Sequence, residues 1–507
     1  MSVHESDDQP RLGHQIGRKL AIGSLLIVLF SATGVASAML LALHGALEEV
    51  RHGSGQTLLA AGIHDPIAQG DPQTILLLSS DRRYADGRTG RPRSDTMMVA
   101  HLDPDRHATA IMSIPRDLKV RIPGHGSAKI NDAYHRGGAQ LAVRTVRRLL
   151  GIPIHHVVDL PFGAFSRAVD RLGCVYVDVD RRYFNDNSHG ENYATIDLEP
   201  GYQKLCGHDA LDYVRFRHED SDFVRAARQQ EFLRQAKAQI GLRGLVDKRG
   251  DLLRILGTYT DTDIMRESDA QIYGFIKLAL AASQAPLAEI AFPAQDGPDG
   301  PGGFVFAAPA AVAKAVARFE AVRGARPAAK SANATAAKAP RRRSARKVRE
   351  ARRRLAPGLV VDRRGGEDHV LAMDVRLAGL RLPVLYPAVR LGGATAGYAR
   401  DSPRSYEIFD RDKHRHRAYR IVLSTGVNGQ YYGVQGTTWK TPPILDEPTD
   451  TVPIGGRRYR RYFDGHRIRL IAFETAQAVY WVSNTLQRRL TNRQMMDVAR
   501  SLRPIAG

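Results

Sequence analysis

Cysteine is scarce in this chain of 507 residues, which has only Cys174 and Cys206. Two thiols allow one disulfide at most, so the fold depends on an apolar core rather than on a network of crosslinks. A hydrophobic share of 43% is sufficient for such a core. Outside the cytoplasm an even pair of cysteines predicts one disulfide, and two unpaired buried thiols are the alternative.

Charge is missing from one long stretch, Leu20–Leu43, which is mostly apolar. At ~1.5 Å per residue, a helix of that length spans a hydrocarbon core of ~30 Å. Basic residues precede the stretch, which predicts a cytoplasmic N-terminus and places everything after residue 43 outside. A cleaved signal peptide is the alternative, although the stretch is long for one and Ala36–Ala42 matches a cleavage site poorly.

Acidic residues are also few, at 53 against 74 basic residues, and the net charge is +21. The imbalance is concentrated between Arg323 and Arg354, where thirteen Lys or Arg accompany a single acid, Glu350. This segment, with its Ala-rich run Ala328–Ala339, predicts a linker with a basic arm. A protein that lies mostly outside the membrane rarely meets nucleic acid, so no such partner is expected. Anionic lipid headgroups or a phosphate-rich polymer are the predicted partners, and a solvated tether is the alternative.

Arginine is concentrated in the segment YVRFRHEDSDFVRAARQQ, Tyr213–Gln230. Asp222 is a suitable helix N-cap, with the preceding serine as a second candidate. A helix from there places Arg225, Arg228 and Gln229 on one face, at i, i+3 and i+4.

Two further arginines, Arg215 and Arg217, alternate before the acidic turn, so an extended segment would point both the same way. Converging guanidinium groups require an anion, and Arg prefers bidentate recognition of phosphate or carboxylate. The segment therefore predicts a phosphate site, and a solvated basic face is the alternative.

Two carboxylates border predicted strands upstream. The apolar run Ile75–Ser80 predicts a buried strand, and Asp81 and Arg83 follow it, where open α/β sheets place their ligands. Asp95 begins a second apolar run. Carboxylates at separate strand edges suit Mg²⁺, which proteins hold through one or two carboxylates with phosphate oxygens and water. Simple pairing of these acids with Arg83 and Arg93 across a hairpin is the alternative.

Six sequence blocks carry a resemblance to a known family. In order, they are SSDRR, RSDTMMVA, SIPRDLKVRIPGHGSAKINDAYHRGG, LLGIPIHHVVDLPFGAFSRAVDRLGCVYVDV, LEPGYQKLCGHDALDYVRFR and DFVRAARQQEFLRQ. Together they resemble the LytR-CpsA-Psr family over residues 71–240, and their order and spacing make the resemblance specific. Members of that family are membrane-anchored extracytoplasmic enzymes that move a glycopolymer phosphate from a polyprenyl-pyrophosphate carrier onto peptidoglycan. The resemblance implies the same partners here: the polyprenyl-pyrophosphate-linked glycan, peptidoglycan and membrane lipid.

The resemblance also implies roles for individual residues. It places Mg²⁺, with Mn²⁺ as a substitute, on Asp81 and Asp95. The pyrophosphate-binding residues that it implies are Arg83, Arg116, Lys129, Arg215, Arg217, Arg225, Arg228 and Gln229. The predicted catalytic residues are Arg116, Asp117, Asp222 and Arg225. Either of the two aspartates in that set can take a hydroxyl proton or orient an arginine. Ser79 departs from the glycine that is usual in the family, but serine fits a strand end, so the metal site is still expected.

The predicted fold class is α/β, with a mixed central sheet flanked by helices, after one transmembrane helix and before a separate C-terminal α+β domain. The predicted plan is a cytoplasmic tail at 1–19, the transmembrane helix at 20–43, a stalk at 44–70, the catalytic domain at 71–293, a connector with the basic linker at 294–358 and the C-terminal domain at 359–507. The strands predicted for the catalytic domain are 74–80, 96–102, 108–114, 155–160, 174–179 and 288–293. The predicted helices are 138–150, 162–172, 207–213, 222–241, 249–257 and 268–284.

Several apolar helix positions can line a slot for the lipid tail, or can simply belong to the core: Leu233, Leu252, Leu253, Leu256, Ile272, Phe275 and Leu278. In the C-terminal domain, Asp464-Gly465 predicts a hairpin and Thr491 begins a capping box for the last helix. His414 and His416 alternate with basic residues, which is typical of a solvated loop rather than of a metal site. Binding of a wall polymer or of a partner is the predicted role of this domain.

Two function classes fit these features. A phosphotransferase requires positioning and charge neutralisation, which Mg²⁺ and arginines supply. A wall-sugar hydroxyl would attack the phosphorus that carries the glycan and expel polyprenyl phosphate, and water in its place would give a pyrophosphatase side activity. The alternative is a non-catalytic membrane protein that senses or scaffolds wall precursors, or attenuates transcription. A pure binder would not need the metal pair, so catalysis is predicted.

Overall fold

The computed structural model describes residues 71–80, 94–188, 194–217, 220–248, 250–251, 254–255, 260–264, 268–300, 303–323, 355–372, 380, 382–393 and 396–505. No helix within these ranges combines the length and the apolar character that crossing a membrane requires. The predicted transmembrane helix at 20–43, the tail, the stalk and the basic arm lie outside them.

The first unit contains fourteen described strands and six described helices. Its strands are β1 (Gln73–Ser80), β2 (Ser94–Asp103), β3 (Ala108–Ile114), β4 (Lys119–Ile122), β5 (Gly126–Lys129), β6 (His156–Asp159), β7 (Val175–Val179), β8 (Tyr183–Asn185), β9 (Ile196–Leu198), β10 (Gly201–Leu205), β11 (Asp261–Thr262), β12 (Leu287–Glu289), β13 (Ala294–Asp296) and β14 (Val305–Ala307). Its helices are α1 (Asn131–Leu150), α2 (Phe162–Leu172), α3 (Gly207–Arg215), α4 (Asp222–Asp247), α5 (Asp269–Gln284) and α6 (Pro309–Glu320).

A six-stranded mixed sheet forms the centre of this unit, in the order β11-β6-β1-β2-β3-β12. β1 runs parallel to β6, and β3 runs parallel to β12, whereas the other neighbours are antiparallel. β3 is buried along its whole length because helices cover both faces of the sheet, which explains its continuous apolar sequence. α1 and α6 pack on one face, and α4 and α5 contribute Leu233 and Leu278 to the other. The predicted mixed α/β sheet is confirmed.

One irregularity interrupts the pairing of β1 with β2. Ser79 pairs with Thr96, but Ser80 pairs with Ser94, so Asp95 is an extra residue in β2. Such a β-bulge is frequent beside active sites, where it redirects a side chain. It lies where β1 ends, directly before the predicted metal ligand Asp81.

Two predicted helix boundaries coincide with glycine kinks. The helix predicted at 138–150 is the second part of α1, which begins seven residues earlier and breaks at Gly138, with a φ of 61°. The helix predicted at 222–241 is the first part of α4, which kinks at Gly241, with a φ of 58°. Glycine adopts these positive φ angles without the steric cost of a Cβ. Most of the helix predicted at 249–257 lies outside the described residues.

The first unit extends beyond its predicted end at residue 293. The Val305 N–H in β14 donates to the Asp117 carbonyl at 2.9 Å. Val312, Val316 and Phe319 of α6 lie in the same apolar core as β1 and β3. The predicted boundary is therefore wrong, because the apolar face of α6 completes this core.

The C-terminal unit consists mostly of strands. They are β15 (Leu359–Val361), β16 (Leu385–Pro387), β17 (Val389–Leu391), β18 (Gly397–Tyr398), β19 (Arg404–Phe409), β20 (Arg415–Ser424), β21 (Tyr431–Thr437), β22 (Asp450–Ile454), β23 (Arg457–Asp464), β24 (Arg467–Glu474), β25 (Val479–Ser483) and β26 (Leu502–Pro504). The helices described here are α7 (Arg363–Ala372), α8 (Asn492–Arg500) and a short 3-10 helix, Pro443–Leu445. The main sheet is antiparallel, in the order β18-β20-β21-β25-β24-β23-β22, with β19 also paired to β20.

Local predictions for this unit hold in part. β23 and β24 form the hairpin at Asp464-Gly465, and Thr491 caps α8 through the predicted capping box. His414 is 72% exposed in the loop before β20, as predicted, and its ring lies 3.1 Å from the Asp410 carboxylate. His416 lies in β20 and is 19% exposed, with its ring 3.0 Å from the same carboxylate, so it does not fit the solvated loop.

The two units pack against each other through an aromatic cluster. Tyr176 of β7 and Tyr202 of β10 meet Trp439 and Trp481 of the C-terminal unit, with ring centroids 5.2–6.0 Å apart. Beside them, Asp178 of β7 accepts a hydrogen bond from the Trp481 indole N–H at 3.1 Å. The C-terminal unit has an apolar core of its own, but it is docked on the first unit rather than separate from it.

Candidate active site

A cavity opens between one face of the central sheet and helices α2, α3 and α4. Its walls are almost entirely apolar, and its polar side chains come from a few positions. The lining residues are Leu77, Leu78, Ser79, Thr96, Met98, Val158, Leu160, Phe162, Phe165, Leu211, Val214, Arg215, Arg225, Gln229, Phe232 and Leu233.

The polar side chains converge where β1 ends and β2 begins. Gln229 donates to Thr96 Oγ1 at 2.9 Å, which fixes α4 beside the bulge at Asp95. Leu77 and Met98 lie deeper in the sheet and are apolar. The cavity is therefore polar at the sheet end and apolar inside.

Asp222 joins the turn after β3 to the start of α4. One of its carboxylate oxygens accepts the Arg116 backbone N–H at 2.7 Å, and the other contacts the Arg225 guanidinium. Both side chains of that ion pair are 5% exposed. Asp222 begins the helix as predicted, but its carboxylate binds these two groups and positions Arg225 at the cavity.

A second carboxylate, Asp117, contacts three basic side chains. Lys129 Nζ lies 2.9 Å from Oδ1, Arg217 Nη2 lies 2.6 Å from Oδ2, and Arg116 Nε lies 4.0 Å from Oδ2. This group of four carries a net positive charge next to the Asp222–Arg225 pair. Such an excess favours binding of an anion.

Arg215 and Arg217 contact different carboxylates, and Arg215 is helical rather than part of the extended segment considered for the two residues. Arg215 is the last residue of α3, and its Nε and Nη2 atoms contact Asp212 at 3.0 and 2.6 Å. Burial raises the pKa of Asp212, although Arg215 opposes the shift. Arg215 lines the cavity, whereas Arg217 reaches Asp117.

The structure does not place Arg228 at the cavity, which corrects its predicted role in binding pyrophosphate. Its side chain is 0% exposed and donates to the carbonyls of Tyr213 and Phe216, at 2.9 and 2.8 Å. The guanidinium also contacts Asp220 and lies 4.4 Å from the Tyr183 ring centroid. Arg228 thus fixes the turn before α4, one residue from Gln229, which does line the cavity.

The predicted metal ligands are only partly described. Asp81 and Arg83 lie outside the described residues, and for Asp95 the structure describes the backbone bulge. Ser80 Oγ, between β1 and the bulge, is buried and has no hydrogen-bond partner in the described part of the chain. An unsatisfied buried hydroxyl at this edge fits a site that binds a polar group.

The apolar wall differs from the predicted lipid slot. Of the slot residues, Leu233 lines the cavity, whereas Phe275 and Leu278 pack in the core against the sheet. Ile272 is fully buried and does not line the cavity, and Leu252, Leu253 and Leu256 lie outside the described residues. The missed wall residues include Phe162 and Phe165, whose i, i+3 spacing on α2 is the signal that could have indicated a shared face.

The disulfide between Cys174 and Cys206 is present, with the sulfur atoms 2.07 Å apart. It joins the start of β7 to the residue before α3. The Gly207 N–H beside it donates to Asp170 Oδ1 at 2.7 Å. Both links fix the beginning of α3, the helix that ends in Arg215.

Comparison with known proteins decides the family. The sequence model of the LytR_cpsA_psr family matches residues 44–305. The chain belongs to the LytR-CpsA-Psr family. Each described site residue lies inside that match, whereas the C-terminal unit lies beyond it.

Curated relatives within the LytR-CpsA-Psr family match only part of their own length. The chain is 37% identical over 164 residues to "Polyisoprenyl-teichoic acid--peptidoglycan teichoic acid transferase TagT" of Bacillus subtilis, covering 32% of this chain and 51% of that protein. It is 36% identical over 201 residues to the corresponding TagU of Halalkalibacterium halodurans, covering 39% and 63%. The crystal structure of B. subtilis TagT aligns with a TM-score of 0.40 and 26% identity, covering 52% of this chain and 98% of that one. The chain thus spans between half and two thirds of the length of these two curated relatives.

Proposed function

We propose that this protein is a phosphotransferase that moves a glycopolymer phosphate from a polyprenyl-pyrophosphate carrier onto peptidoglycan during cell-wall assembly. The cavity carries this proposal. Its apolar interior suits an isoprenoid tail, and Arg215, Arg225 and Gln229 at its polar end suit a pyrophosphate. The names of the curated relatives, which are transferases of a polyisoprenyl-linked polymer onto peptidoglycan, support it.

The two ends of the cavity contribute differently to binding and to catalysis. Each buried methylene of the tail contributes ~0.8 kcal/mol of affinity whether or not reaction occurs. The arginines contribute charge-assisted hydrogen bonds, which strengthen as negative charge develops on the oxygens of the reacting phosphorus. The attacking sugar hydroxyl forms the new oxygen–phosphorus bond, and polyprenyl phosphate leaves. Water as the attacking group would give pyrophosphatase activity as a side reaction.

Mg²⁺, or Mn²⁺ in its place, is the proposed cofactor, with Asp81 and Asp95 as ligands. The bulge at Asp95 and the Ser80 hydroxyl, which has no hydrogen-bond partner among the described residues, support a polar site at this edge. Bound there, the cation would neutralise charge on the phosphate oxygens.

Asp117 and Asp222 are better suited to orientation than to proton transfer. Each oxygen of both carboxylates already contacts a cation or a backbone N–H. Loss of the Asp117 carboxylate would release Lys129 and Arg217 from their positions, and loss of the Asp222 carboxylate would release Arg225.

We also propose that the protein is a single-pass membrane protein with a cytoplasmic N-terminus and the active site outside. The uncharged stretch at 20–43 and the basic residues before it support this topology. The disulfide agrees with an oxidising compartment.

The test uses the full chain purified from membranes. Mass spectrometry should identify a co-purifying polyprenyl phosphate or pyrophosphate lipid, and the protein should transfer saccharide from a synthetic polyprenyl-pyrophosphate donor to peptidoglycan fragments. A scaffold or sensor would retain the lipid without transfer or hydrolysis. That result, obtained with a folded protein and with Mg²⁺ present, would reject the phosphotransferase function and support a scaffold or sensor.

A further inference from the structure

Helix α4, which presents Arg225 and Gln229 to the cavity, contacts the C-terminal unit near both ends of its straight part. At its start, Gly429 lies so close that a Cβ there would be 2.7 Å from Asp220 Oδ1 and 3.0 Å from Val224. Near the kink, Arg411 Nη2 donates to the Gln239 carbonyl at 2.8 Å. These contacts restrict movement of the helix from both directions.

Between these contacts, Glu231 projects from α4 into a group of arginines. Arg488 Nη2 lies 2.6 Å from Oε2, and Arg469 Nη1 lies 3.5 Å from Oε1, both from the C-terminal unit. Arg234, one turn along α4, lies 2.9 Å from Oε2. Burial opposes ionisation of Glu231, but Arg488, Arg234 and Arg469 outweigh it and hold the pKa of Glu231 well below its usual range. The carboxylate is therefore charged and is shared between the two units.

Two more acidic residues complete this group. Asp464, at the tip of the β23–β24 hairpin, contacts Arg234 Nη2 at 2.9 Å and Arg488 Nε at 3.3 Å. Glu289, at the end of β12, also contacts Arg234. Three acids and three arginines thus join the sheet edge, α4 and the C-terminal unit in one largely buried network. Removal of one member would leave its partners buried without compensation.

We propose that the C-terminal unit positions α4 for catalysis, with Arg488 and Arg469 acting as positioning residues through Glu231. This inference rests on the phosphotransferase function proposed above. Gln229 and Arg225 lie two and six residues before Glu231, about 3 and 9 Å along the helix axis. Because that part of the helix is continuous, a displacement at Glu231 also moves the groups that face the pyrophosphate.

The test compares Arg488→Ala with Arg461→Ala in the full chain. Arg461 belongs to the same unit and forms a two-point ion pair with Asp450, at 2.7 and 2.5 Å, on the surface. Arg488→Ala should lower kcat about 10- to 100-fold, the range expected when reacting groups are displaced by up to ~1 Å. KM for the polyprenyl-pyrophosphate donor should change by less, because most of the apolar wall is on other elements. Arg461→Ala should leave both parameters unchanged.

Hydrogen–deuterium exchange supplies a readout that does not need the reaction. Peptides that cover α4 between Arg225 and Gln235 should exchange faster in Arg488→Ala and not in Arg461→Ala. Arg488→Lys keeps a cation beside Glu231 but loses the second contact to Asp464, so it should recover part of both effects. If Arg488→Ala does not fold, Glu231→Gln receives the same measurements.

Each outcome has a definite meaning. Unchanged exchange in α4, or faster exchange with unchanged kcat, overturns the positioning role. Equal effects of Arg488→Ala and Arg461→Ala indicate general destabilisation and also overturn it. Absence of any turnover by the wild type removes the proposed function instead, and the exchange data then decide alone whether the C-terminal unit holds α4.

Discussion

Replacement of Arg225 by lysine should abolish most turnover and leave the fold nearly intact. The side chain is almost completely buried, at 5% exposure, and pairs with Asp222 at the polar end of the cavity. Lysine keeps a positive charge opposite that carboxylate, but it offers a single ammonium in place of a planar fork. Loss of a contact that strengthens in the transition state costs ~3–4 kcal/mol, so kcat should fall roughly 10²–10³-fold.

Arg225→Ala should be more damaging to stability. It leaves the Asp222 carboxylate buried with the Arg116 N–H but without its cation. Breaking a buried ion pair on one side costs ~3–5 kcal/mol. The double variant Arg225→Ala/Asp222→Asn removes the uncompensated charge, so it should recover part of the lost stability without recovering turnover.

The measurement is turnover of a polyprenyl-pyrophosphate donor at saturation, with the melting temperature of each variant alongside. Arg461→Lys is the matched control, since it exchanges the same residue types in a surface pair with Asp450 and should shift stability by less than ~0.5 kcal/mol. Turnover of Arg225→Lys within a few-fold of wild type, at an unchanged melting temperature, would refute the bidentate role of this arginine.

Three other perturbations address the metal, the disulfide and the buried network. Asp81→Ala and Asp95→Ala should each abolish activity that depends on Mg²⁺ or Mn²⁺ without unfolding the protein; full activity in excess EDTA would contradict the metal role. Peptide mapping without reduction should find Cys174 joined to Cys206, and two free thiols would contradict this disulfide. The bond closes a span of 32 positions, so its loss should lower the free energy of unfolding by ~3–4 kcal/mol. Burial raises the pKa of Glu289 from 4.5 to about 7, so the folded state holds its proton more tightly than the unfolded state does. The contribution of Glu289 to stability is therefore present below pH ~4.5 and is lost as the pH rises through 7. Between pH 5 and 8, the wild type should lose up to ~3 kcal/mol of unfolding free energy relative to Glu289→Gln. Parallel curves of unfolding free energy against pH for the two proteins would contradict this shift.

Local patterns predicted most of the first unit, because its elements are set by short-range periodicity. The apolar run of β1 determines structure over fewer than ten residues, and the Asp464-Gly465 turn does the same in the C-terminal unit. The position of Arg225 and Gln229 side by side at the cavity was predictable for the same reason, since the two residues share a helix face with i, i+4 spacing.

The errors concern contacts that spacing does not determine. Arg228 is adjacent to Gln229 and has the same residue type as Arg225, but a buried acceptor, Asp220, lies on its side of the helix. The slot residues on α5 have the correct apolar character, but the sheet covers that face. The docked interface joins residues as far apart as Asp178 and Trp481, separated by 303 positions, and no local pattern specifies such a pair.

The same separation has a consequence for biogenesis. Tyr176 and Tyr202 form an aromatic surface that the first unit cannot cover by itself, since Trp439 and Trp481 belong to the second. At a synthesis rate of ~5–20 residues per second, the 303 positions between Asp178 and Trp481 take roughly 15–60 s to produce. In the part of that interval that follows the synthesis of α6, the folded first unit exposes this aromatic surface. Chaperones that bind aromatic surfaces should therefore associate with this chain while it is incomplete, and release it when β25 arrives.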